Sequence, residues 1–318
     1  MAGMTAVRQP RGTGFALRDP LPWDAFTDVT RSGERHGYAA VFLPEIFARD
    51  ALAALAGLAG ETRDLLLGTG VLPMRSRTPL LTAMGAATVH ERSGGRLLLG
   101  LGTGAVGRGA LEELRRMMLA VRSLLRGEAV ELEGRTSRLA LLPSSDVPVW
   151  ISAMGPRAFR LAGEISDGVL LNWCTPERVA FARETVAEGA RSAGRDPAEI
   201  AVAVYVRSWV GEDAPAAMTV LKAAAGEYAR YPAYARQFAQ LGVGAEAEAA
   251  AAAVRAGRPD EAPEGLVHAF TAFADGARER LAEYRAAGAD LIVVYPVPVG
   301  EPASSITETL LALAPGSM

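Results

Sequence analysis

Cysteine and histidine are scarce in this sequence. A single cysteine, Cys174, and three histidines occur among 318 residues. One cysteine excludes an internal disulfide and any cysteine-based metal cluster. The histidines, His36, His90 and His268, are far apart along the chain and form no ligand pattern. We therefore expect no metal site, and the cysteine usage suits a reducing cytoplasm.

Long apolar runs and concentrated charge are also missing. No run of roughly twenty apolar residues occurs, so neither a membrane span nor a signal peptide is expected. The formal net charge is only -3 at pH 7, and no basic cluster marks a nucleic-acid face. These features predict a soluble cytoplasmic protein whose partner is a small molecule rather than a nucleic acid or a membrane.

The most informative segment is 65–104, whose pattern predicts strand, loop, helix, turn, strand and glycine-rich loop. Its two leucine runs, 65–67 and 97–99, are typical of parallel strands buried on both faces, and each leads into Gly-Thr-Gly. Ligands bind at the carboxyl ends of such strands, where loops and helix N-termini present backbone N–H groups. The second glycine loop, 100–107, therefore predicts a phosphate-bearing cofactor, although an ordinary tight turn has the same pattern.

Eight apolar runs recur along the chain with helical segments between them. They fall at residues 14–17, 39–43, 65–71, 97–99, 148–153, 167–171, 200–206 and 290–295. This alternation predicts an α/β fold, with a (β/α)8 TIM barrel as the leading architecture and an open doubly wound sheet as the alternative.

Two segments interrupt the alternation. Residues 127–142 suggest a hairpin or an irregular excursion outside the barrel. From about residue 215 to 263 alanine, glutamate and tyrosine dominate, which predicts a helical insertion after strand seven of a single domain, residues 1–318. The insertion is expected to cap the pocket or to form a subunit contact.

Several short motifs occur in a fixed order along almost the whole chain. They are residues 34–38 with 42–45, 68–71 with Pro79, 93–96 with 100–104, 153–156 with 162–164 and 167–169, and 286–290. In this order and spacing they resemble the bacterial luciferase-like superfamily, and within it the branch that uses the deazaflavin coenzyme F420. The resemblance implies a luciferase-like (β/α)8 barrel, a bound flavin or deazaflavin, and a homodimer.

The resemblance also implies which residues bind the cofactor. A non-prolyl cis peptide at Gly70-Val71 would form a bulge behind the ring. The cofactor phosphate would lie against Gly102, Thr103, Gly104, Ala105 and Val106. The other side of the cofactor would be lined by Ala153, Met154, Gly155 and Pro156.

The sequence departs from the F420-dependent glucose-6-phosphate dehydrogenases that it resembles. Those enzymes have Asp-His after strand two and Glu in the glycine loop, whereas these positions here hold Glu45-Ile46 and Ala105. The histidine proton relay is therefore missing, which argues against sugar phosphate oxidation by that route. Glu45 is the candidate catalytic residue, as a group that carries a proton, and its alternative role is to cap the following helix.

Polar and aromatic residues after other strands are candidates for the substrate pocket. Asp19 follows strand one, Trp173 follows strand six and Arg207 follows strand seven. Asp19 is also an ordinary turn residue before proline, and Trp173 and Arg207 are equally compatible with loop packing. Arg75 and Arg77 either meet cofactor carboxylates or are solvated loop charges.

These observations predict an F420-dependent oxidoreductase that transfers a hydride between the deazaflavin C5 and a small organic substrate. Two alternatives stay open at this stage. One is an FMN-dependent monooxygenase of the luciferase-like kind that uses O2, and the other is a non-catalytic protein that binds a flavin or deazaflavin.

Overall fold

Eight parallel strands close into a barrel in the computed structural model of the protein, which describes residues 10–18, 20–104, 107 and 109–317. The strands in this part of the chain are β1 (Gly12–Ala16), β2 (Ala40–Leu43), β3 (Leu66–Thr69), β4 (Leu72–Pro73), β5 (Leu97–Gly102), β6 (Val130–Leu132), β7 (Arg135–Ser137), β8 (Val149–Ser152), β9 (Gly168–Asn172), β10 (Ala201–Trp209), β11 (Thr271–Phe273) and β12 (Leu291–Pro296).

The α-helices lie between and after these strands. Within the described residues they are α1 (Trp23–Arg35), α2 (Ala51–Leu58), α3 (Pro79–Arg92), α4 (Ala110–Leu125), α5 (Pro156–Ile165), α6 (Pro176–Ser192), α7 (Ala214–Ala229), α8 (Pro232–Gln240), α9 (Gly244–Arg255), α10 (Gly265–Phe270), α11 (Ala277–Ala286) and α12 (Pro302–Ala312). None of these helices has the length and apolarity that a membrane crossing needs.

The barrel follows the order β1, β2, β3, β5, β8, β9, β10, β12, and β12 pairs with β1 to close it. β10 illustrates the parallel register, since Tyr205 lies opposite Asn172 of β9 on one side and Val293 of β12 on the other. The predicted TIM barrel is confirmed. The open doubly wound sheet is wrong, because each of the eight strands has a neighbour on both sides.

Alternate residues of each strand point into the barrel and form one buried cluster. Its members include Ala40, Phe42, Leu66, Leu98, Trp150, Leu170, Ala203, Tyr205, Leu291, Val293 and Tyr295. The intervening residues, such as Val41, Leu67 and Ile151, belong to the larger cluster that includes residues of the surrounding helices. Both faces of the strands are therefore buried, which is why continuous apolar runs predicted them.

Several elements differ from the sequence prediction. β4, β11 and α12 were not expected, and β4 and β11 are short strands that extend the sheet beside β5 and β10. Residues 127–142 contain the antiparallel hairpin β6–β7, as one of the two predicted readings required. Helices α7, α8 and α9 fall in the segment predicted as a helical insertion, and α10 continues it to Phe270.

Carboxylates join the strand starts at the amino-terminal edge of the barrel. Asp167 Oδ2 accepts a hydrogen bond from the Val149 N–H at 2.8 Å, and the Asp167 N–H donates to the Val149 carbonyl at 2.9 Å. Asp290 makes the equivalent pair of bonds with Val202, both at 2.8 Å. Glu34 Oε1 accepts three successive backbone N–H groups just before β3. Three acidic residues of the resemblance motifs therefore stabilise the barrel at the edge away from the expected ligand.

Replacing Asp167 with alanine is expected to lower the free energy of unfolding by about 3 kcal/mol. The variant loses the bond to Val149 and leaves Arg122 and Arg195, at 2.6 and 3.6 Å, without this carboxylate. Urea unfolding measures the change. Glu188→Ala is the matched control, because its 3.2 Å pair with Arg160 is more than half exposed, and it should cost less than about 1 kcal/mol. Equal losses in the two variants would contradict the assigned role.

Candidate active site

One layer of inward-facing residues meets at the carboxyl ends of the barrel strands. Strand alternation places Arg207 of β10 on the same inner face as Tyr205 and Ala203. The same alternation brings Gly70, Gly102, Ser152 and Asn172 to this layer from β3, β5, β8 and β9. Three residues assigned from the sequence, Gly70, Gly102 and Arg207, therefore share one end of the barrel interior.

Gly70 is contacted from the opposite side of the barrel. The Tyr205 hydroxyl donates to the Gly70 carbonyl at 3.1 Å, and a Cβ added at Gly70 would lie 1.7 Å from the hydroxyl oxygen. The Gly70-Val71 peptide bond is cis, which confirms the expectation from the resemblance. Burial raises the pKa of Tyr205, so the phenol stays protonated and can donate this bond at neutral pH.

Thr69 joins β3 to β5 directly behind this layer. Its Oγ1 donates to the Gly100 carbonyl at 2.9 Å and accepts from the Gly100 N–H at 2.8 Å. A Cβ at Gly100 would lie 2.2 Å from the Thr69 carbonyl oxygen, and one at Gly102 would lie 2.4 Å from Val71 Cγ2. Glycine is thus required at both positions by the close approach of the two strands. A phosphate contact of Gly102 stays a prediction.

The rest of the glycine loop lies at the surface of the site. Thr103 is half-buried, and Gly104 is exposed with φ +60°, a conformation that favours glycine. Ala105 and Val106, which were assigned to the cofactor phosphate, lie outside the described residues. α4 then begins after Gly109, which provides no side-chain cap.

The loop after β8 has open space beside it. Ala153 is buried, whereas Met154 is half-buried and its carbonyl accepts a 2.8 Å bond from Arg178. Gly155 is the N-cap of α5 and Pro156 its first residue, so no side chain caps this helix. A Cβ added at Gly155 would meet no atom within 4 Å. The uncapped first turn and the free space leave this loop open to a cofactor.

Arg207 is surrounded by aromatic rings. Its guanidinium carbon lies 4.5 Å from the ring centroids of Trp173 and Tyr295 and 4.8 Å from that of Tyr228. Nη1 donates to Asn172 Oδ1. The sequence placed Trp173 and Arg207 at the same edge, and the structure brings them into contact.

The helical insertion completes this cluster. Tyr228 comes from α7, the hydroxyl of Tyr234 in α8 accepts a 2.7 Å bond from Asn172, and Gln237 donates to the Asn172 carbonyl at 3.0 Å. Trp173 is buried against Phe238 and Phe270 of the same insertion. Of the two expected roles, the structure shows the insertion packed on the ends of β9 and β10. Tyr228 was missed because nothing local in the sequence relates the insertion to Arg207.

Glu45 lies in an ion-pair network at the end of β2. Arg77 donates to both of its carboxylate oxygens, at 2.9 and 2.7 Å, and also pairs with Asp50. Glu45 Oε2 in addition accepts the Ala51 N–H at 3.1 Å at the start of α2. This arrangement favours the capping role, and a catalytic role of Glu45 stays a prediction. Arg77 was expected either to meet cofactor carboxylates or to be a solvated loop charge. In the structure it is instead paired with Glu45 and Asp50.

Arg75 takes no part in this network. Asp19 is outside the described residues, and Arg75 forms an exposed ion pair with Glu113 at 3.6 Å. A small depression lies beside the ends of β1 and β2, with Arg18 and Arg49 in its lining.

The histidines do not form a metal site. No group of three or more metal-ligating side chains occurs in the residues that the structure describes. His36 is the C-cap of α1, and His268 is exposed. His90 is buried in the last turn of α3, and burial lowers its pKa.

The fold is that of an α/β-barrel protein, with a candidate ligand edge built from β3, β5, β8, β9 and β10. The chain belongs to the luciferase-like monooxygenase family, whose model matches residues 4–291. The sequence motifs described above and the family match therefore agree over most of the chain.

Two relatives of known name are similar in sequence to part of the chain. The chain is 35% identical over 217 residues to 5,10-methylenetetrahydromethanopterin reductase of Methanolobus tindarius, covering 64% of this chain and 66% of that protein. It is 34% identical over 179 residues to the enzyme of the same name from Archaeoglobus fulgidus, covering 52% and 54%. The chain thus matches less than two thirds of the length of each relative.

A solved structure matches nearly the whole fold. The coenzyme F420-dependent tetrahydromethanopterin reductase from Methanopyrus kandleri superposes with a TM-score of 0.78 at 22% identity. The match covers 96% of this chain and 98% of that one. At this identity the likeness establishes the shared fold.

Replacing Gly70 with alanine is expected to lower the free energy of unfolding by about 1–3 kcal/mol, because the new methyl group overlaps Tyr205. In a Tyr205→Phe background the same replacement should cost less, since the overlapping oxygen is gone. Gly107→Ala is the control, with no atom closer than 3.9 Å to its added Cβ, and should change stability by less than about 0.5 kcal/mol. A double-mutant cycle by urea unfolding measures the coupling, and equal costs in both backgrounds would contradict the overlap.

Proposed function

We propose that this protein is an F420-dependent oxidoreductase that transfers a hydride between the deazaflavin and a small organic substrate. The observation that carries the proposal is the 35% identity to 5,10-methylenetetrahydromethanopterin reductase. A solved tetrahydromethanopterin reductase with the same fold as this chain is named as coenzyme F420-dependent. The aligned fold includes the barrel edge where the candidate residues meet.

The described residues fit a phosphorylated ring cofactor. Helices that begin at this edge without a side-chain cap include α1 after Pro22, and α4 and α5 after the glycines Gly109 and Gly155. Side-chain oxygens of Asp50, Thr78 and Thr175 instead cap α2, α3 and α6. An uncapped helix start favours an anion, because first-turn N–H groups and the helix dipole both point to it. We therefore assign the phosphate to the loops that precede α4 and α5.

The ring would lie between β3 and β8. Gly70 and Val71 would support one side, and Ala153 and Met154 would line the other. When bound, the deazaflavin supplies hydride transfer at C5, while the protein binds and orients the reactants. Tyr205 would hold the Gly70 carbonyl in place, and the insertion, packed on Trp173, would keep water from the β9–β10 side.

The comparison of F420 with FMN tests this proposal. We expect purified protein to bind F420 at least about tenfold more tightly than FMN in fluorescence titrations at modest salt. Gly155→Asp should weaken F420 binding, because a carboxylate would enter the phosphate site, yet it should leave stability unchanged or higher, because aspartate is a good N-cap. Gly155→Ala is the matched neutral control.

Three other results would change the assignment of cofactor, activity or phosphate site. A preference for FMN would contradict the proposal and favour the monooxygenase alternative, with oxygen consumption as the next assay. Binding of F420 without oxidation or reduction of any acceptor in a substrate screen would favour the non-catalytic alternative. Unchanged F420 affinity in Gly155→Asp would place the phosphate elsewhere.

We also propose that the protein forms a homodimer through the exposed face of α3. Leu81 and Met84, three residues apart on that helix, are each 51% exposed, and Phe47 before α2 is fully exposed. Sedimentation equilibrium should show a dimer that Leu81→Lys and Met84→Lys both weaken. Leu119→Lys, at a comparably exposed leucine of α4, should have no effect. A wild-type monomer at micromolar concentration would contradict the proposal.

A further inference from the structure

Arg207 is a buried cation in the centre of the site. The residue is only 3% exposed, and it is the last inward-facing residue of β10 before Trp209 ends the strand. Burying a guanidinium group without a compensating charge is unfavourable, so buried arginines are normally paired with a carboxylate.

No carboxylate of the described residues forms an ion pair with Arg207. Its polar partner is the neutral amide of Asn172, which accepts from Nη1. A guanidinium has five N–H donors, so this bond leaves donors on the edge of the group. Arg77, a half-buried arginine of the same edge, is by contrast paired with the carboxylates of Glu45 and Asp50.

The aromatic neighbours hold the guanidinium without neutralising it. Trp173, Tyr228 and Tyr295 lie within 4.5–4.8 Å of its central carbon and stabilise the cation through their ring faces. Rings on the faces restrict a ligand to the edge, where the N–H groups form a planar fork. That fork matches the two oxygens of a carboxylate.

A second buried donor lies beside it. The indole Nε1 of Trp173 is buried and has no hydrogen-bond partner among the described residues. A buried N–H without a partner is uncommon in native structures, and a ligand oxygen would satisfy it. Two observations therefore point to an oxygen-bearing anion at the same place.

The position of Arg207 separates it from the phosphate site. In the closed order of strands, β10 lies opposite β3 and is three strands from β5, whose loop leads to α4. β8, whose loop leads to α5, is two strands from β10, so an anion at Arg207 would lie at a different strand end from the cofactor phosphate. This side is the one that the insertion covers.

We propose that Arg207 binds a carboxylate of the substrate, so that the substrate is an organic acid. The assignment of this carboxylate to the substrate rests on the proposed function. The binding of a carboxylate by Arg207 does not depend on the cofactor. Arg207 would select and orient the substrate through its edge donors, with Trp173 Nε1 as a further donor.

The test uses simple probes and direct binding. Acetate, benzoate and succinate are titrated into wild-type protein, with and without F420, by calorimetry, and benzamide serves as the uncharged match for benzoate. We expect saturable binding of at least one carboxylate and at least about tenfold weaker binding of benzamide than of benzoate. Arg207→Met should weaken carboxylate binding by at least about tenfold, and Arg207→Lys, which keeps the charge without the fork, by less.

Two further variants serve as a control for the loss of charge and as a second test of the site. Arg236→Met removes one positive charge from an exposed position of α8 and should leave carboxylate binding unchanged. If Arg207→Met does not fold, as judged by circular dichroism, Trp173→Phe keeps a ring and removes the N–H, and should weaken carboxylate binding severalfold. Unchanged carboxylate binding in the folded variants would overturn the proposal, as would the absence of binding of all three probes to wild-type protein.

A carboxylate of the cofactor tail is the competing source of the same chemistry. If Arg207→Met weakens F420 binding but not binding of the tail-free deazaflavin chromophore, Arg207 binds the tail and the substrate assignment is overturned. Equal affinities of wild-type and Arg207→Met protein for F420 support the substrate assignment. Failure of F420 to bind, with Arg207-dependent carboxylate binding retained, would contradict the proposed function alone.

Discussion

The contact between the Tyr205 hydroxyl and the Gly70 carbonyl sets the geometry of the whole site. It joins β10 to β3 across the barrel, and it leaves no space for a side chain at residue 70. On either side of Gly70, the Thr69 hydroxyl is hydrogen-bonded to the Gly100 backbone and the Val71 side chain packs against Gly102. Because these contacts fill the barrel interior up to this level, a ligand can lie only above it, among the loops.

The two ends of the barrel use polar groups in opposite ways. At the amino-terminal edge Asp167, Asp290 and Glu34 are saturated with backbone N–H groups and arginines, which fixes the strand register. At the carboxyl-terminal edge the N-caps Gly109 and Gly155 and the cation Arg207 lack such saturation. Carboxylates that cap strand starts are thus concentrated at one end. The other end, apart from the ion pairs of Arg77 with Glu45 and Asp50, keeps unsatisfied binding capacity, as barrels of this class generally do.

The sequence predicted the barrel well because each strand is buried on both faces, so that a run such as 65–67 has a single physical explanation. It also placed Trp173 and Arg207 at the correct edge, since position after a strand decides the edge. The short strand β11 was missed because three residues carry too little pattern. The contacts of Arg207 with Tyr228, and of Glu45 with Arg77, join residues 21 or more positions apart in sequence through the fold, and local patterns do not encode such pairs.

Asn172 and Trp173 connect Arg207 to the helical insertion through hydrogen bonds and ring contacts. Asn172 accepts from Arg207 and donates to Tyr234 of α8, while Trp173 packs both on Arg207 and on Phe238. Any anion that pulls the guanidinium edge toward itself therefore acts on the residues that hold the insertion in place. Conversely, an insertion that is well packed keeps the rings around Arg207 and pre-organises its donors, which lowers the entropy lost when an anion binds. Specificity at this end of the barrel is thus a property of the insertion and the strand together, rather than of Arg207 alone.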